Sequence, residues 1–497
     1  MFYIRSIPTS VWHVVILLVT CGILYFPNLG TIPFYDKGEP REALVVQEIV
    51  YQGEWLLPLK RGDAIPSKPP LFHWFGAFVS LARGQVTEAT VRLPSALFAT
   101  LGVLLLYLLG RRIFDPSVAF LGAVILATSF LYQKQAVEAR VDMTLTFFMS
   151  LTLALFYLVY QGLVTRPVWT YVFFLLLGVS VLAKGPVGAV LPAIIVGAFL
   201  GARKRWKFLS RLCFHKGVIL TLLVAVSWYG IALGIGGEDF FRRQILQENL
   251  QRFFVYGEGG TGHQKPFYYY VPYLFLAGLP WSVFLPFLFL DYFKGRAFAA
   301  DHSLYLILWA GLILLFFSLS SGKRWVYLLP LYPALSLLIA QWLTQPAHWE
   351  RMANLGLQSV GWLFLLIGFA LVGLFVWVAM GKDLFSLLPH FGVMLKPSEQ
   401  ARLSVVREAL ARSGWLFHFF LLFSAFLWLA AAHRLFVREA WAAAVPLVCL
   451  TVLTALFVQG SVVSSIAAAR SYKPFMVAVN ELVTRDGPLW IYGEGWD

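Results

Sequence analysis

The residues best suited to chemistry lie in one polar segment, residues 34–75, of an otherwise apolar chain. Asp36 and Glu39 stand there beside Arg41, and Lys68 follows within the rigid run SKPP. Carboxylates beside bases are a common arrangement for acid–base catalysis, and a lysine held in place by prolines suits a lipid phosphate. Two ordinary roles fit the same residues: a charge-balanced start of a helix, and a lysine that snorkels to lipid headgroups.

Charged residues interrupt the apolar stretches at two more places along the chain. Glu138 and Asp142 stand four residues apart in KQAVEARVD, just before an apolar stretch, and fit either catalysis or a helix cap. Lys184 stands alone between two apolar stretches. Such a lysine is costly in a membrane unless it reaches the interface or pairs with an anion, so both phosphate binding and snorkelling stay open.

Two later segments complete the set of candidate residues. Residues 235–269 hold Arg252 and His263 beside a glycine-rich stretch, 257–262, that is flexible enough for a lid. The run SLSSGKRWVYLLP holds Lys323 and Tyr327. A lone histidine is more often structural than catalytic, and the Lys323 run also fits simple anchoring at the membrane interface. Each signal is weak alone, and it gains weight only if all segments face one compartment.

The composition predicts an all-α polytopic membrane protein. Of the 497 residues, 59% are hydrophobic and 13% are charged, about half the charged fraction of soluble domains. The net charge of +14 is spread over many short loops and forms no continuous stripe, which argues against nucleic acid and favours membrane lipids and lipid phosphates as partners. The three cysteines have no metal-ligand spacing and define no disulfide framework.

Apolar stretches long enough to cross about 30 Å of hydrocarbon predict about thirteen transmembrane helices. They are residues 10–30, 93–110, 117–133, 143–161, 168–183, 186–201, 217–234, 270–290, 303–319, 326–343, 357–379, 415–431 and 441–458. The break at Lys184-Gly185-Pro186 leaves open whether 168–201 is a helical hairpin or one kinked helix. The first stretch reads as an uncleaved span and not as a signal peptide.

The distribution of lysine and arginine predicts the orientation. Basic residues are denser in one set of short loops, among them residues 203–207, so this set is expected in the cytoplasm. The long loops 31–92 and 235–269 then face outward, carry the candidate residues and include interfacial helices. Residues 1–458 are expected to form the transmembrane domain. Residues 459–497 are expected to form a short outer tail that resembles part of a truncated domain.

Taken together, these stretches resemble the lipid-carrier-dependent glycosyltransferases of the GT-C fold. The resemblance is greatest to 4-amino-4-deoxy-L-arabinose lipid A transferases and extends more distantly to protein O-mannosyltransferases. It is carried, in the family's order, by GEPREA (38–43), GEWLLPL (53–59), SKPPLFHW (67–74), VDMTLTFF (141–148), LAKGP (182–186), ENLQRFF (248–254), GHQKPFYYYVPYL (262–274) and SLSSGKRWVYLLPLYP (318–333).

The resemblance implies an enzyme that takes a sugar from a polyprenyl-phosphate donor, such as an undecaprenyl-phosphate sugar. Direct displacement would invert the anomeric centre. The reaction is expected at the periplasmic face of a bacterial inner membrane, with lipid A, another glycan or a protein as the acceptor.

The resemblance also implies roles for individual residues. Glu39 becomes the main catalytic carboxylate, and Asp36 replaces the acid that the family carries where this chain has Gly38. Asp142 is the third catalytic candidate. The residues expected to bind substrate are Arg41, Lys68, Lys184, Arg252, His263, Lys323 and Tyr327. Ser67 and Asn249 stand where the arabinose transferases carry an acid and a histidine, so we expect no essential metal and no other cofactor.

Other functions also fit a chain of this kind. One is a transporter or flippase of lipid-linked sugars, and others are an oligosaccharide polymerase or ligase and a structural membrane protein. Transporters tend to place charges or broken helices at mid-membrane within repeated halves, whereas these charges lie between the apolar stretches and no repeat is visible.

Overall fold

The computed structural model describes residues 9–59, 64–255, 264–293, 300–344, 351–391 and 397–482. Within these ranges the chain is built from helices, and an isolated bridge pairs Gln264 with Gly322.

Twenty-two α-helices follow one another in the described ranges. They are α1 (Thr9–Tyr25), α2 (Gly38–Gln47), α3 (Leu71–Arg83), α4 (Glu88–Ile113), α5 (Pro116–Thr128), α6 (Phe130–Ala136), α7 (Val141–Tyr160), α8 (Val168–Lys184), α9 (Val187–Ala202), α10 (Trp206–Cys213), α11 (Gly217–Phe240), α12 (Arg252–Phe254), α13 (Tyr270–Ala277), α14 (Leu285–Phe293), α15 (Asp301–Leu319), α16 (Tyr332–Thr344), α17 (Arg351–Ala379), α18 (Pro397–Ser413), α19 (Trp415–Phe436), α20 (Ala444–Phe457), α21 (Ser464–Arg470) and α22 (Lys473–Leu482). Segments of π-helix cover Glu48–Gln52, Phe241–Gln251 and Val458–Val463, and 3₁₀ turns cover Phe267–Tyr269, Trp281–Phe284, Trp325–Leu331 and Leu384–Phe391.

The helical, multi-pass architecture confirms the predicted fold class. In the described part of the chain, eight helices are long and apolar enough to cross a membrane, and two bent pairs raise this number to ten. Three shorter apolar helices are α1, α8 and α9. These helices lie at the positions of the predicted apolar stretches. Because the three shorter ones are below the length expected of a membrane span, the count of thirteen stays a prediction.

The break after Lys184 is a turn between two helices. Gly185 has a φ of 103°, a backbone conformation that favours glycine, and α9 starts two residues later. Near the far end of α9, Phe199 packs on Tyr160 at the end of α7, with ring centroids 5.0 Å apart. Because α7 and α8 are joined by a short loop at that same end, α8 and α9 run in opposite directions as a hairpin.

The first long loop folds into short helices, as its sequence predicts. Pro40 lies in the first turn of α2, and the following π-helical segment ends at Gly53, which has a φ of 74°. The second predicted helix of this loop is α3, which buries Phe72 and Ala77 against α2. At the other end of the chain, helix continues from Ala444 to Arg470, past the predicted domain boundary at 458. That boundary stays a prediction.

Candidate active site

A group of cations gathers where α8 ends and the 3₁₀ turn Trp325–Leu331 begins. The Lys68 ammonium donates to Glu248 Oε2 at 2.7 Å, and Arg252 Nη1 donates to the same oxygen at 2.5 Å. Burial lowers the pKa of Lys68, the charge of Glu248 raises it and Arg252 lowers it again, and the net pKa lies below the ordinary lysine value. One carboxylate therefore holds two cations from distant parts of the chain.

Lys184 adds a third cation to this group. Its ammonium pairs with the Asp142 carboxylate and lies 4.2 Å from the centre of the Tyr327 ring. The side chains of Lys184 and Asp142 are only 10% and 12% exposed. Tyr327 also lies close enough to Lys68 to affect the pKa of that lysine, so the Tyr327 side chain is near both lysines. We call Lys68, Lys184, Arg252 and Tyr327 the cation cluster.

Backbone contacts fix the Lys323 turn against the Arg252 segment. The N–H of Gly322 donates to Arg252 O at 3.0 Å, and the N–H of Ser321 donates to Phe253 O at 3.1 Å. The buried Lys323 ammonium donates to the carbonyl of Ser320. These backbone contacts place Lys323 beside the cation cluster.

A second group, rich in carboxylates, adjoins the first. Asp36 Oδ1 accepts the N–H of Gly38 at 2.7 Å and that of Glu39 at 3.2 Å, and Arg140 Nη2 lies 3.2 Å from Oδ2. Burial raises the pKa of Asp36, but the Arg140 charge and the two N–H donors outweigh it, and the pKa lies below its ordinary value. The Asp36 side chain is 39% exposed, so its ionised carboxylate is open to a bound molecule.

Gly38 allows this arrangement by leaving room for Arg140. A Cβ built at Gly38 would lie 1.8 Å from Nη2 of Arg140, well inside van der Waals contact. The guanidinium therefore fills the space that a side chain at residue 38 would need.

Arg140 and Asp142 connect the two groups. Arg140 interacts electrostatically with Asp36, Glu138, Glu42 and Asp142, and Asp142 in turn pairs with Lys184. The residues around Arg140 are themselves paired: Glu138 with Lys134 at 2.6 Å, and Glu42 with His73 at 2.6 Å. One continuous polar site therefore runs from Asp36 to Arg252.

Glu39 has a structural partner. Its two oxygens accept from Nε and Nη2 of Arg92 at 2.7 and 2.8 Å, and Oε1 also accepts the N–H of Ala139 at 2.9 Å. The side chains of Glu39 and Arg92 are each 3% exposed. With its oxygens occupied and shielded, Glu39 ties the first long loop to α4 and α7.

The predicted residues thus fall into four groups. Asp36, Asp142 and the cation cluster lie in the continuous site, with Lys323 beside it. Arg41 is exposed at the start of α2, and among the described residues no ion pair joins it to the site. Glu39 lies behind the site in its pair with Arg92. His263 and the predicted lid, 257–262, lie outside the described residues.

Three residues in or next to the site are not singled out by the sequence. Arg140 was overlooked between Glu138 and Asp142, although an arginine at the start of an apolar stretch needs an anionic partner. Arg92 carried the same signal at the start of α4. Glu248 has no signal in the sequence beyond its place in the motif ENLQRFF (248–254). Groups of three or more His, Cys, Asp or Glu side chains that could hold a metal are absent from the ranges that the structure describes.

Comparisons with known proteins agree with this fold. A family profile described as dolichyl-phosphate-mannose-protein mannosyltransferase matches residues 67–229. An undecaprenyl phosphate-alpha-4-amino-4-deoxy-L-arabinose arabinosyl transferase of Pseudomonas fluorescens is 29% identical over 411 residues, which are 82% of this chain and 70% of that protein. An uncharacterised protein of Aquifex aeolicus is 30% identical over 75% of this chain and 72% of its own length.

The fold has a solved counterpart. The crystal structure of ArnT from Cupriavidus metallidurans bound to undecaprenyl phosphate superposes with a TM-score of 0.74 at 21% identity, covering 97% of this chain and 82% of the other. The resemblance seen in the sequence is thereby confirmed. The chain belongs to the lipid-carrier-dependent glycosyltransferases of the GT-C fold.

Proposed function

We propose that this enzyme transfers a sugar from a polyprenyl phosphate of the undecaprenyl type to an acceptor on the periplasmic side of a bacterial inner membrane. The observation that carries the donor assignment is the cation cluster. Lys68, Arg252 and Lys184 share two carboxylates, Glu248 and Asp142, so positive charge is in excess. Partly buried cations in excess favour a phosphate, and the arabinosyl transferase relatives are named for such a donor.

The cation cluster is suited to stabilising the leaving group. As the acceptor oxygen attacks the anomeric carbon, the bond from that carbon to the phosphate oxygen breaks and its electron pair stays on the phosphate. Lys68, Lys184 and Arg252 neutralise the charge that develops there. A single displacement of this kind inverts the anomeric centre. Before the donor binds, Glu248 and Asp142 hold the same cations in place.

Asp36 is our candidate for the carboxylate that faces the acceptor. Its pKa is lowered, so it is ionised at neutral pH, but a carboxylate with a low pKa is a weak general base. We therefore assign it to orienting the sugar or the acceptor, a role that suffices if the nucleophile is already anionic, as a lipid A phosphate is. For a hydroxyl acceptor, Asp36 would also take the proton.

Lipid A or another glycolipid is the proposed acceptor, and other glycans or proteins are alternatives. The periplasmic side rests on the density of lysine and arginine in the loops at the opposite end of the bundle. Asp142 is proposed as the partner that orients Lys184, and Glu39 as the residue that anchors the first loop.

The test is transfer by the purified protein from a synthetic polyprenyl-phosphate sugar. We expect release of the polyprenyl phosphate and a product with inverted anomeric configuration by NMR. Lys184→Ala should abolish release, and Lys382→Ala, which removes an exposed lysine outside the site, should not. Movement of the intact donor across a vesicle membrane without cleavage would instead identify a flippase. Mass spectrometry of lipid A and surface glycans from a deletion strain would identify the acceptor.

A further inference from the structure

A strongly basic surface lies on and beside α10, away from the candidate active site. Lys204, Lys207, Arg211 and Lys216 are all exposed. Among the described residues, none of these four forms an ion pair. The nearby acid Asp301 is occupied, because it forms an ion pair with Arg203 at 2.7 Å and accepts a hydrogen bond from Tyr160 at 3.0 Å. We call these four residues the α10 basic surface.

This surface and the active site lie at opposite ends of the helices. Helix α7 starts next to Asp142 in the site and ends at Tyr160, whose ring packs on Phe208 of α10 with centroids 5.9 Å apart. Twenty residues of α-helix at 1.5 Å each give roughly 30 Å, the thickness of the hydrocarbon core. The α10 basic surface therefore lies at the level of the headgroups of the other leaflet.

Helix α10 has the form of a helix that lies along a membrane surface. Phe208, Leu209 and Leu212 pack against the hydrophobic core. Lys207 and Arg211 are four residues apart and so project from one face of the helix. Trp206 is 61% exposed and Phe214 is 88% exposed, one at each end of the helix. Exposed aromatic rings beside exposed cations are typical of segments at headgroup depth.

We propose that the α10 basic surface binds the headgroups of anionic phospholipids in the leaflet opposite the active site. The chemistry is that of unpaired ammonium and guanidinium groups meeting lipid phosphates, with the flanking rings inserted among the acyl chains. The occupant is lipid, because the cations stand between two apolar helices, α9 and α11, next to exposed apolar side chains. This binding is independent of the sugar donor, whose proposed site is at the other end.

The test compares lipid retention by native mass spectrometry of the full chain, purified from nanodiscs of phosphatidylglycerol and phosphatidylcholine. The variant is Lys207→Gln with Arg211→Gln, since glutamine keeps the helix propensity and removes two charges. Each charge removed should weaken phosphatidylglycerol binding about fivefold. The matched control is Lys382→Gln with Arg412→Gln, which removes the same charges in segments at the active-site end.

The expected result is selective loss of phosphatidylglycerol from the α10 variant, with wild-type retention by the control and unchanged thermal unfolding of both. Inorganic phosphate at millimolar concentration should not displace the lipid, because it lacks the acyl chains. Equal retention by the α10 variant and the wild type would overturn the proposal. Equal loss in both variants would overturn it as well, because lipid would then respond to total charge and not to this surface.

Discussion

Glu39 offers a direct way to separate structural from chemical roles in the first loop. Removing its carboxylate leaves the buried Arg92 guanidinium without an anion, with the carbonyls of Leu29 and Ile32 at 2.9 and 2.5 Å as its remaining hydrogen-bond acceptors. Loss of one member of a buried ion pair costs about 3–5 kcal/mol, which is our expectation for Glu39→Ala. Glu39→Gln keeps one acceptor oxygen and should cost less, about 1.5–3 kcal/mol.

The assay is unfolding by SDS titration in mixed micelles, run beside transfer activity normalised to folded protein. The matched control is Glu439→Gln, which breaks an exposed pair with Arg434 and should cost less than about 1 kcal/mol. We expect Glu39→Gln to unfold earlier than the control, with transfer activity per folded molecule unchanged. Wild-type stability together with abolished transfer would refute this reasoning and make Glu39 a chemical participant.

Three further predictions concern the site itself. Gly38→Ala should displace the Arg140 guanidinium and lower turnover by about tenfold to a hundredfold without changing stability. In an Arg140→Lys background, Gly38→Ala should cause no further loss of turnover. Additive losses in this double-mutant cycle would contradict the steric account. Because the pKa of Lys68 is lowered, its ammonium loses its proton at a pH below the ordinary lysine value of 10.5, and KM for the donor should rise with pH in that range. Lys68→Arg should abolish this rise. An identical pH profile for the wild type and the variant would contradict a role of Lys68 in donor binding. Tyr327→Phe keeps the ring that faces the Lys184 ammonium and should leave KM for the donor within about twofold of the wild type. Tyr327→Leu removes the ring and should raise KM roughly fivefold. Equal KM values for the two variants would exclude a contribution of the cation–π contact.

The sequence was sufficient to predict the helices and the residues of the cation cluster. Long apolar stretches must be helical in a bilayer, since each backbone group needs an internal partner there. Lys184 at a break between two such stretches had to find an anion or the interface, and Asp142 is that anion. Lys68, Arg252 and Tyr327 were identified through their motifs, and the structure brings them together with Lys184.

Pairings between acids and bases far apart in the chain could not be predicted. Glu39 and Arg92 are 53 residues apart, and Lys68 and Glu248 are 180 apart. Several acids in the first loop were equally plausible partners for each cation, and only the packing of α2 against α4 and α7 selects Glu39 for Arg92. For the same reason the sequence did not reveal that Asp36, and not Glu39, has the exposed carboxylate.

A structure of the enzyme with bound undecaprenyl phosphate tests the central claim most directly. The account predicts the phosphate among the ammonium groups of Lys68 and Lys184 and the guanidinium of Arg252, within about 3 Å of at least two of them. Its oxygens would then take over part of the contacts that Glu248 and Asp142 now make. A phosphate bound away from these cations, or at the α10 end of the bundle, would contradict the proposed site.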